Sequence, residues 1–274
     1  MNKRFVFSST WLSGIVLSST RLRTIVLSSI LLLTIAFTFS GCRKSPWPPP
    51  HHPGSNARIA RFSYGPGSDS MSFTYNAAGN PLSGVRPFPA TGAPDLVFRY
   101  DASEHLTDLI GSYSTDPITD NSNIEVWHRY IYDGLNNIVV DSVYIFPEVS
   151  GGRPIRGAHG VLTLYTFTYD PQHRIISSIR DFGQGPEPPV TYAYDNAGNL
   201  IGTAHDQKTN FRQTNKLWLF FDRDYSVNNP LPATYTYNAA GLPTHIVEPP
   251  GSFGNFFYTG ESGLQYTEAD IRYF

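Results

Sequence analysis

The sequence lacks several features on which whole classes of protein depend. Its 274 residues include a single cysteine, Cys42, so the chain cannot form an internal disulfide. Charged residues make up only 15%, whereas about 25% is usual in soluble domains. The metalloprotease pattern HExxH, the serine-hydrolase pattern GxSxG and the phosphate-binding loop are all missing. We therefore predict no catalytic residue of these classes, no cofactor and no bound metal.

Aromatic and turn-forming residues, in contrast, are abundant. Aromatic residues reach 14%, with 17 tyrosines and 18 phenylalanines, and the chain contains 23 glycines and 22 prolines. Aromatic residues favour strands, and glycine and proline favour the turns between strands. The composition predicts β structure rather than helix.

Charge is unevenly distributed along the chain. The first 41 residues carry Lys3, Arg4, Arg21 and Arg23 and no acidic residue. The remainder therefore has 20 − 4 = 16 basic and 22 acidic side chains, a net charge of −6. Binding to phosphates needs a basic face, so this balance argues against nucleic acid as a partner.

The N-terminal region has the order of elements found in a secretory signal. The uncharged apolar run TIVLSSILLLTIAFTF (24–39) follows two arginines and precedes Ser40-Gly41-Cys42. Small residues directly before the only cysteine resemble the lipobox of bacterial lipoproteins. This resemblance implies that residues 1–41 are a signal peptide, that the peptide is removed, and that Cys42 is acylated and becomes the first residue.

An acylated Cys42 would make the membrane a partner of this chain, because several acyl chains anchor a protein stably. Residues 42–56 are Pro-rich, with the sequence CRKSPWPPPHHPGSN. Such a stretch is extended and fairly stiff, and it is typical of a tether that holds a domain away from the bilayer.

One short pattern occurs six times: an aromatic residue, any residue, a tyrosine, and then Asp or Asn. The most regular copy is YAYDNAGNL at 192–200. The tyrosines of the six copies are Tyr75, Tyr100, Tyr132, Tyr169, Tyr194 and Tyr237. Successive copies lie 25 to 43 residues apart. The motif is constant while the connections vary, as loops do on a repeated scaffold.

Each copy has the chemistry of a β-hairpin. Aromatic residues at i and i+2 share one face of a strand, and the following Asp or Asn favours a tight turn. In a type I turn closed by a G1 bulge, the fourth residue after the tyrosine takes a positive φ. Those positions hold Gly79, Glu104, Asn136, His173, Gly198 and Gly241, and only Glu104 is a poor fit. The same register places each tyrosine opposite the sixth residue after it, namely Pro81, Leu106, Ile138, Ile175, Leu200 and Pro243.

A lone hairpin is barely stable in water, so these hairpins can bury their aromatic faces only by lying side by side. We predict an all-β domain over residues 57–274, an antiparallel meander of repeated β-hairpins with the hairpin tips along one rim. The segment KLWLFFD (216–222) is apolar enough to form a buried strand or a short helix that covers the concave face of the sheet.

The segment YDNAGNL (194–200) resembles the YD repeat of the RHS/teneurin superfamily, and the segments at Tyr132 and Tyr169 resemble it more loosely. The resemblance covers about residues 60–246 in patches. In large members of that superfamily many repeats form a hollow β-shell, which implies a curled sheet or partial shell here. The chain also resembles a group of envelope lipoproteins typical of Bacteroidetes, which implies an outer-membrane location without an assigned activity.

Few other residues are candidates for chemistry. Asp181 and Glu187 could belong to an acid pair for glycoside hydrolysis, but no pattern selects them. His159 lies in a Gly-flanked loop, where a solvated side chain is usual. The segment DPITDNSN (116–123) is rich in oxygen atoms but lacks the spacing of a calcium loop. The sequence therefore predicts no metal site.

Three functional hypotheses remain. The first is a non-enzymatic envelope scaffold that binds glycan or another envelope protein, and the missing catalytic motifs favour it. The second is an envelope polysaccharide hydrolase, and the third is a remnant of an RHS-type toxin shell. Within the first hypothesis, the motif tyrosines are either core and turn residues or a platform that stacks on sugars, and we favour the structural role.

Overall fold

The computed structural model describes residues 57–65, 69–114, 123–248 and 267–274. The predicted signal peptide, Cys42 and the Pro-rich tether lie outside the described residues, as do residues 116–122. Within the described part of the chain, no helix is both long and apolar enough to cross a membrane.

Strands provide most of the regular structure in the described residues. They are β1 (Ile59–Tyr64), β2 (Ser70–Tyr75), β3 (Pro81–Val85), β4 (Asp95–Tyr100), β5 (Leu106–Ser112), β6 (Ile124–Tyr132), β7 (Ile138–Ile145), β8 (Glu148–Ser150), β9 (Arg153–Ile155), β10 (Val161–Tyr169), β11 (Ile175–Asp181), β12 (Val190–Thr191), β13 (His205–Thr209), β14 (Asn228–Pro230), β15 (Thr234–Tyr237), β16 (Pro243–Val247) and β17 (Glu268–Tyr273). Thirteen of them form one sheet, in the order β12-β11-β10-β7-β6-β5-β4-β3-β2-β1-β17-β16-β15. The pairs β8–β9 and β13–β14 are separate two-stranded ladders.

The main sheet is antiparallel, and five motif copies form its hairpins: β2–β3, β4–β5, β6–β7, β10–β11 and β15–β16. The predicted all-β antiparallel meander is therefore confirmed. One connection departs from a simple meander, because β17 inserts between β1 and β16. No copy of the motif marks β17, so this placement could not be read from the sequence.

One face of the sheet carries the main core, and we call it the inner face. It holds the first aromatic residues of four motif copies, Phe73, Phe98, Tyr130 and Phe167, none of which is more than 8% exposed. Alternate residues of each strand point to the other face. There, a smaller cluster forms around Trp127, which is 1% exposed.

The only α-helix in the described residues, α1 (Lys216–Asp222), packs on the inner face. The side chain of Asn215 caps it by accepting a hydrogen bond from the Leu217 amide at 2.9 Å. The Trp218 side chain is fully buried, and its ring centroid lies 5.3 Å from that of Phe73. Of the two alternatives predicted for KLWLFFD, the structure adopts the helix, and this helix covers the sheet as expected.

The contacts of α1 show that the sheet curls around it. Trp218 contacts Phe73 on β2, and Phe220 contacts Phe167 on β10 with 5.3 Å between ring centroids. These strands are six steps apart in the sheet order, which would be roughly 29 Å in a flat sheet. The helix has seven residues and is only about 10 Å long. A flat sheet could not bring both strands to it.

Candidate functional site

The six hairpin tips share one backbone conformation. The fourth residue after each motif tyrosine has a positive φ, with values of 84° at Gly79, 60° at Glu104, 65° at Asn136, 61° at His173, 85° at Gly198 and 77° at Gly241. Each tyrosine also lies opposite the sixth residue after it, as the predicted register requires. The turn geometry therefore follows from the motif even where the fourth residue is not glycine.

The Asp or Asn that follows each tyrosine closes its turn through the side chain. Its side-chain oxygen accepts a hydrogen bond from the amide four residues later, at 2.9 Å in Asp133–Asn137 and 3.0 Å in Asn238–Leu242. The same bond occurs in the other four copies. Residues of this kind favour turns because they bond to nearby backbone groups.

Glu104 has a specific partner that explains its presence at a position unsuited to it. Its carboxylate accepts hydrogen bonds from the side-chain amides of Asn76 at 2.7 Å and Asn80 at 2.9 Å, both on the neighbouring hairpin. His173 makes the equivalent contact, with 2.7 Å between its Nδ1 and the side-chain oxygen of Asn137. Residues at positive φ therefore link neighbouring hairpin tips.

The tyrosine hydroxyls form a second set of links at the same edge of the sheet. Tyr100 donates to the carbonyl of Pro81 at 2.7 Å, and Tyr169 donates to the carbonyl of Ile138 at 2.6 Å. Each acceptor lies opposite the tyrosine of the preceding hairpin. The set also includes Tyr75 bonded to Ile59 and Tyr273 bonded to Pro243. We call these bonds the tyrosine ladder, and they support a structural role for the motif tyrosines.

The last two motif tyrosines, Tyr194 and Tyr237, do not take part in the tyrosine ladder. They contact residues 205–230, which run from β13 to β14 and which we call the inserted segment. The Tyr194 ring packs edge-on against Tyr225 with 6.5 Å between centroids, and Tyr237 donates its hydroxyl hydrogen bond to Asp206 on β13. Asn199, in the tip that follows Tyr194, bonds through its side chain to Asn228 on β14. The β13–β14 ladder thereby links the two ends of the sheet, whose terminal strands are not paired with each other in the described residues.

A row of polar residues crosses the inner face next to α1. Tyr130 pairs in register with Asp141, Asp141 with Tyr165, and Tyr165 with Arg180, across strands β6, β7, β10 and β11. This row lies on the face that elsewhere carries the aromatic core. With His128 and Arg223, which lie beside it, these residues form what we call the polar site: His128, Tyr130, Asp141, Tyr165, Arg180 and Arg223.

Within the polar site, His128 and Asp141 form a close pair. The His128 Nδ1 lies 3.1 and 3.0 Å from the two carboxylate oxygens of Asp141, and its ring stacks on Tyr130 with 6.0 Å between centroids. The His128 side chain is 20% exposed and that of Asp141 is 8% exposed. The carboxylate therefore orients the imidazole and leaves its Nε2 for another partner. Such a pair could bind a hydroxyl group or act as a base.

Two arginines complete the polar site. The Arg180 Nε and Nη2 donate to the two oxygens of Glu187 at 2.8 and 3.1 Å, and this hydrogen bonding raises the pKa of Arg180. Arg223, directly after α1, places its guanidinium carbon 4.4 Å from the ring centroid of Tyr165 and 5.4 Å from that of Phe167. Aromatic faces attract cations at such distances.

The residues considered for catalysis from the sequence have local roles. Asp181 accepts hydrogen bonds from the amides of Gly183 and Gly185, while Glu187 is held by Arg180. His159 is exposed in its loop. No group of three or more potential metal ligands occurs among the described residues. The polar site was missed because its members come from four strands and a helix end; the one local sign was a histidine two residues before Tyr130.

No protein-family model matches this sequence, and no curated protein matches it. Among solved structures, the TcdB2-TccC3 complex is similar over 73% of this chain at 12% identity, with a TM-score of 0.29. A porin-like protein from Bacteroides uniformis ATCC 8492 is similar over 79% of this chain and 98% of its own, at 11% identity and a TM-score of 0.30. This chain covers 9% of the TcdB2-TccC3 chain. Similarities of this degree carry no argument about function.

Proposed function

We propose that this protein is a lipid-anchored, non-enzymatic scaffold of the cell envelope, and that it binds glycan at the polar site. The observation that carries the proposal is the row of polar side chains on a face that otherwise holds the aromatic core. Burying polar groups costs free energy unless they find partners. Polar side chains on the inner face that leave part of their hydrogen-bonding capacity unused therefore favour a ligand-binding role.

The chemistry of the polar site suits carbohydrate. Sugar hydroxyls both donate and accept hydrogen bonds, and the polar site offers an acceptor in Asp141, donors in Arg223, and groups of both kinds in His128 and Tyr165. The Tyr165 ring adds apolar surface beside them. Another envelope protein is the alternative partner. It would use a broader exposed surface, and its binding would not depend on these six residues.

The envelope location rests on the sequence around Cys42. In the source bacterium, wild-type protein should sediment with membranes and incorporate a fatty-acid analogue. Cys42→Ser should abolish the labelling and release the protein from the membrane fraction. The lipid-anchor proposal fails if the wild-type protein takes up no label and the Ser variant still sediments with membranes.

Glycan binding is tested on purified Cys42→Ser protein, which retains every residue of the polar site. We expect it to bind members of a glycan array, and His128→Ala to lose that binding while the protein remains folded, with at most a modest fall in melting temperature because Asp141 loses its partner. Binding that survives His128→Ala would place the ligand elsewhere. New reducing ends on incubation with a bound polysaccharide would instead support the hydrolase alternative.

A further inference from the structure

The Arg223 side chain is held in place without using its hydrogen-bond donors. The guanidinium lies over the rings of Tyr165 and Phe167, and it makes no ion pair or side-chain hydrogen bond with any described residue. Stacking on a ring engages the face of the guanidinium and leaves the N–H donors at its edge available. The side chain is half-buried, so a ligand can reach it from solvent.

Arg223 is the one arginine of the polar site that makes no ion pair with a described residue. Arg180 is paired with Glu187, and His128 contacts Asp141. Asp224, next in the chain, accepts a hydrogen bond from the Ser226 amide at 2.9 Å. A planar guanidinium with free donors matches a carboxylate, which accepts two parallel hydrogen bonds.

The opposite end of the polar site has a different preference. The hydroxyl of Tyr130 is fully buried and out of reach of a ligand, so the accessible groups at this end are His128, 20% exposed, and Asp141, 8% exposed. Asp141 is an acceptor that repels anions and attracts hydroxyl donors. Tyr165 lies between, in register with Asp141. The ligand should therefore carry an anionic group at one end and neutral hydroxyls at the other.

We propose that the polar site binds a carboxylate-bearing sugar, a uronic acid residue of an acidic glycan, with its carboxylate on Arg223 and its ring hydroxyls toward Asp141 and His128. This inference rests on the proposed glycan-binding function and names the class of glycan. A free anion would satisfy Arg223 alone, whereas a uronic acid satisfies both ends of the site.

The test compares a trisaccharide of galacturonic acid with the matching trisaccharide of galactose, in which each carboxylate is replaced by a hydroxymethyl group. Titration calorimetry on Cys42→Ser protein should give affinity for the galacturonic acid trisaccharide at least about tenfold higher, the effect of one charged hydrogen-bonded pair. Added salt should reduce this preference, because salt screens exposed charges. Acetate, a carboxylate without ring hydroxyls, should compete only weakly.

Arg223→Gly provides the decisive variant. Arg223 has a φ of 54°, a conformation that glycine adopts without strain, so relief of backbone strain should offset the lost contacts with Tyr165 and Phe167 and leave the melting temperature little changed. It should nevertheless lose the preference for the acidic trisaccharide. Arg153→Gln, at an exposed arginine on β9, is the matched control and should keep it.

The outcomes separate the two proposals. Equal binding of the two trisaccharides, or an unchanged preference in Arg223→Gly, overturns the acidic-sugar inference and leaves glycan binding intact. Binding of neither trisaccharide, together with no binding on the glycan array, overturns both.

Discussion

The same motif serves two different arrangements in this molecule. In the hairpins of Tyr75, Tyr100 and Tyr169, the tyrosine hydroxyl donates to a backbone carbonyl of the neighbouring strand pair. In the copies at Tyr194 and Tyr237, the hydroxyl makes no such bond with a described strand, and the tyrosine contacts Tyr225 or Asp206 of the inserted segment. Tyr225 also interacts with Tyr169. The motif therefore specifies a hairpin, but the hydrogen-bond partner of the tyrosine depends on which part of the chain lies beside that hairpin.

The comparison is sharpest at Tyr194, because YDNAGNL is the most regular copy and has the least regular strand pairing. Its tyrosine and Leu200 form an isolated bridge, and the preceding strand, β12, has only two residues. The turn itself is intact, with a φ of 85° at Gly198. A close match to the motif thus predicts the turn conformation but does not predict how many residues pair in the strands beside it.

Ionising the tyrosine hydroxyls should cause the largest loss of stability in the tyrosine ladder. Burial raises the pKa of the ladder tyrosines Tyr100 and Tyr169, and it raises the pKa of the neighbouring motif tyrosine Tyr132 to about 12. A free tyrosine has a pKa of about 10, so above that pH the unfolded chain loses protons that the folded chain keeps. The contribution of these tyrosines to stability should be constant below about pH 10 and should fall as the pH rises above about 10.

Melting curves from pH 8 to 12, with tyrosinate absorbance recorded in parallel, test this expectation. Tyrosinate should appear together with unfolding. Ionisation of most tyrosines in a chain that keeps its strand signal would contradict the buried ladder.

Removing a whole tyrosine should separate the two groups of hairpins. Tyr169 packs against the core and bonds to Ile138, so Tyr169→Ala should cost about 2–4 kcal/mol, somewhat below the loss for a fully buried ring. Tyr194→Ala should cost about half as much, because its hairpin carries little of the sheet. Chemical denaturation measures both, with exposed Leu135→Ala as a control. Equal losses at Tyr169 and Tyr194 would remove the distinction.

Substitutions of the hairpin-tip glycines should have different stability costs in different motif copies, because the space around each glycine differs. Gly241 and Gly198 both have positive φ, but a Cβ at Gly198 would lie 2.9 Å from Cγ2 of Val227, whereas none of the described residues lies within 4 Å at Gly241. Gly241→Asn should be mild and Gly241→Val should cost about 1–3 kcal/mol. At Gly198, both substitutions should be costly. A mild Gly198→Asn would show that Val227 moves away.

The smallest effect should come from the hydroxyl alone. Tyr100→Phe leaves the Pro81 carbonyl without its donor and should cost about 1 kcal/mol. Tyr194→Phe should cost less, because its hydroxyl is not bonded to a neighbouring hairpin. Thermal melts of the two variants, measured together, give the difference. A larger loss for Tyr194→Phe would refute the tyrosine ladder as described.

Local chemistry within about seven residues determined much of this fold. The motif predicted each turn, the positive φ at its fourth residue and the residue opposite each tyrosine, because a hairpin is closed by bonds among near neighbours. Glu104 was the one misfit, and its explanation lies on another hairpin, in Asn76 and Asn80. The predicted anchor at Cys42 and tether at 42–56 stay predictions, since they lie outside the described residues.

Only the tertiary structure decided the position of β17, the link between the two ends of the sheet and the polar site. His128 and Asp141 share the β6–β7 hairpin, but Arg223 follows a distant helix and reaches Tyr165, the strand neighbour of Asp141, only through the curl of the sheet around that helix. A polar residue in a strand has the same local pattern whether its face is solvated or covered. The covering helix makes the difference, and its place on the sheet depends on aromatic contacts with strands that are distant in the chain.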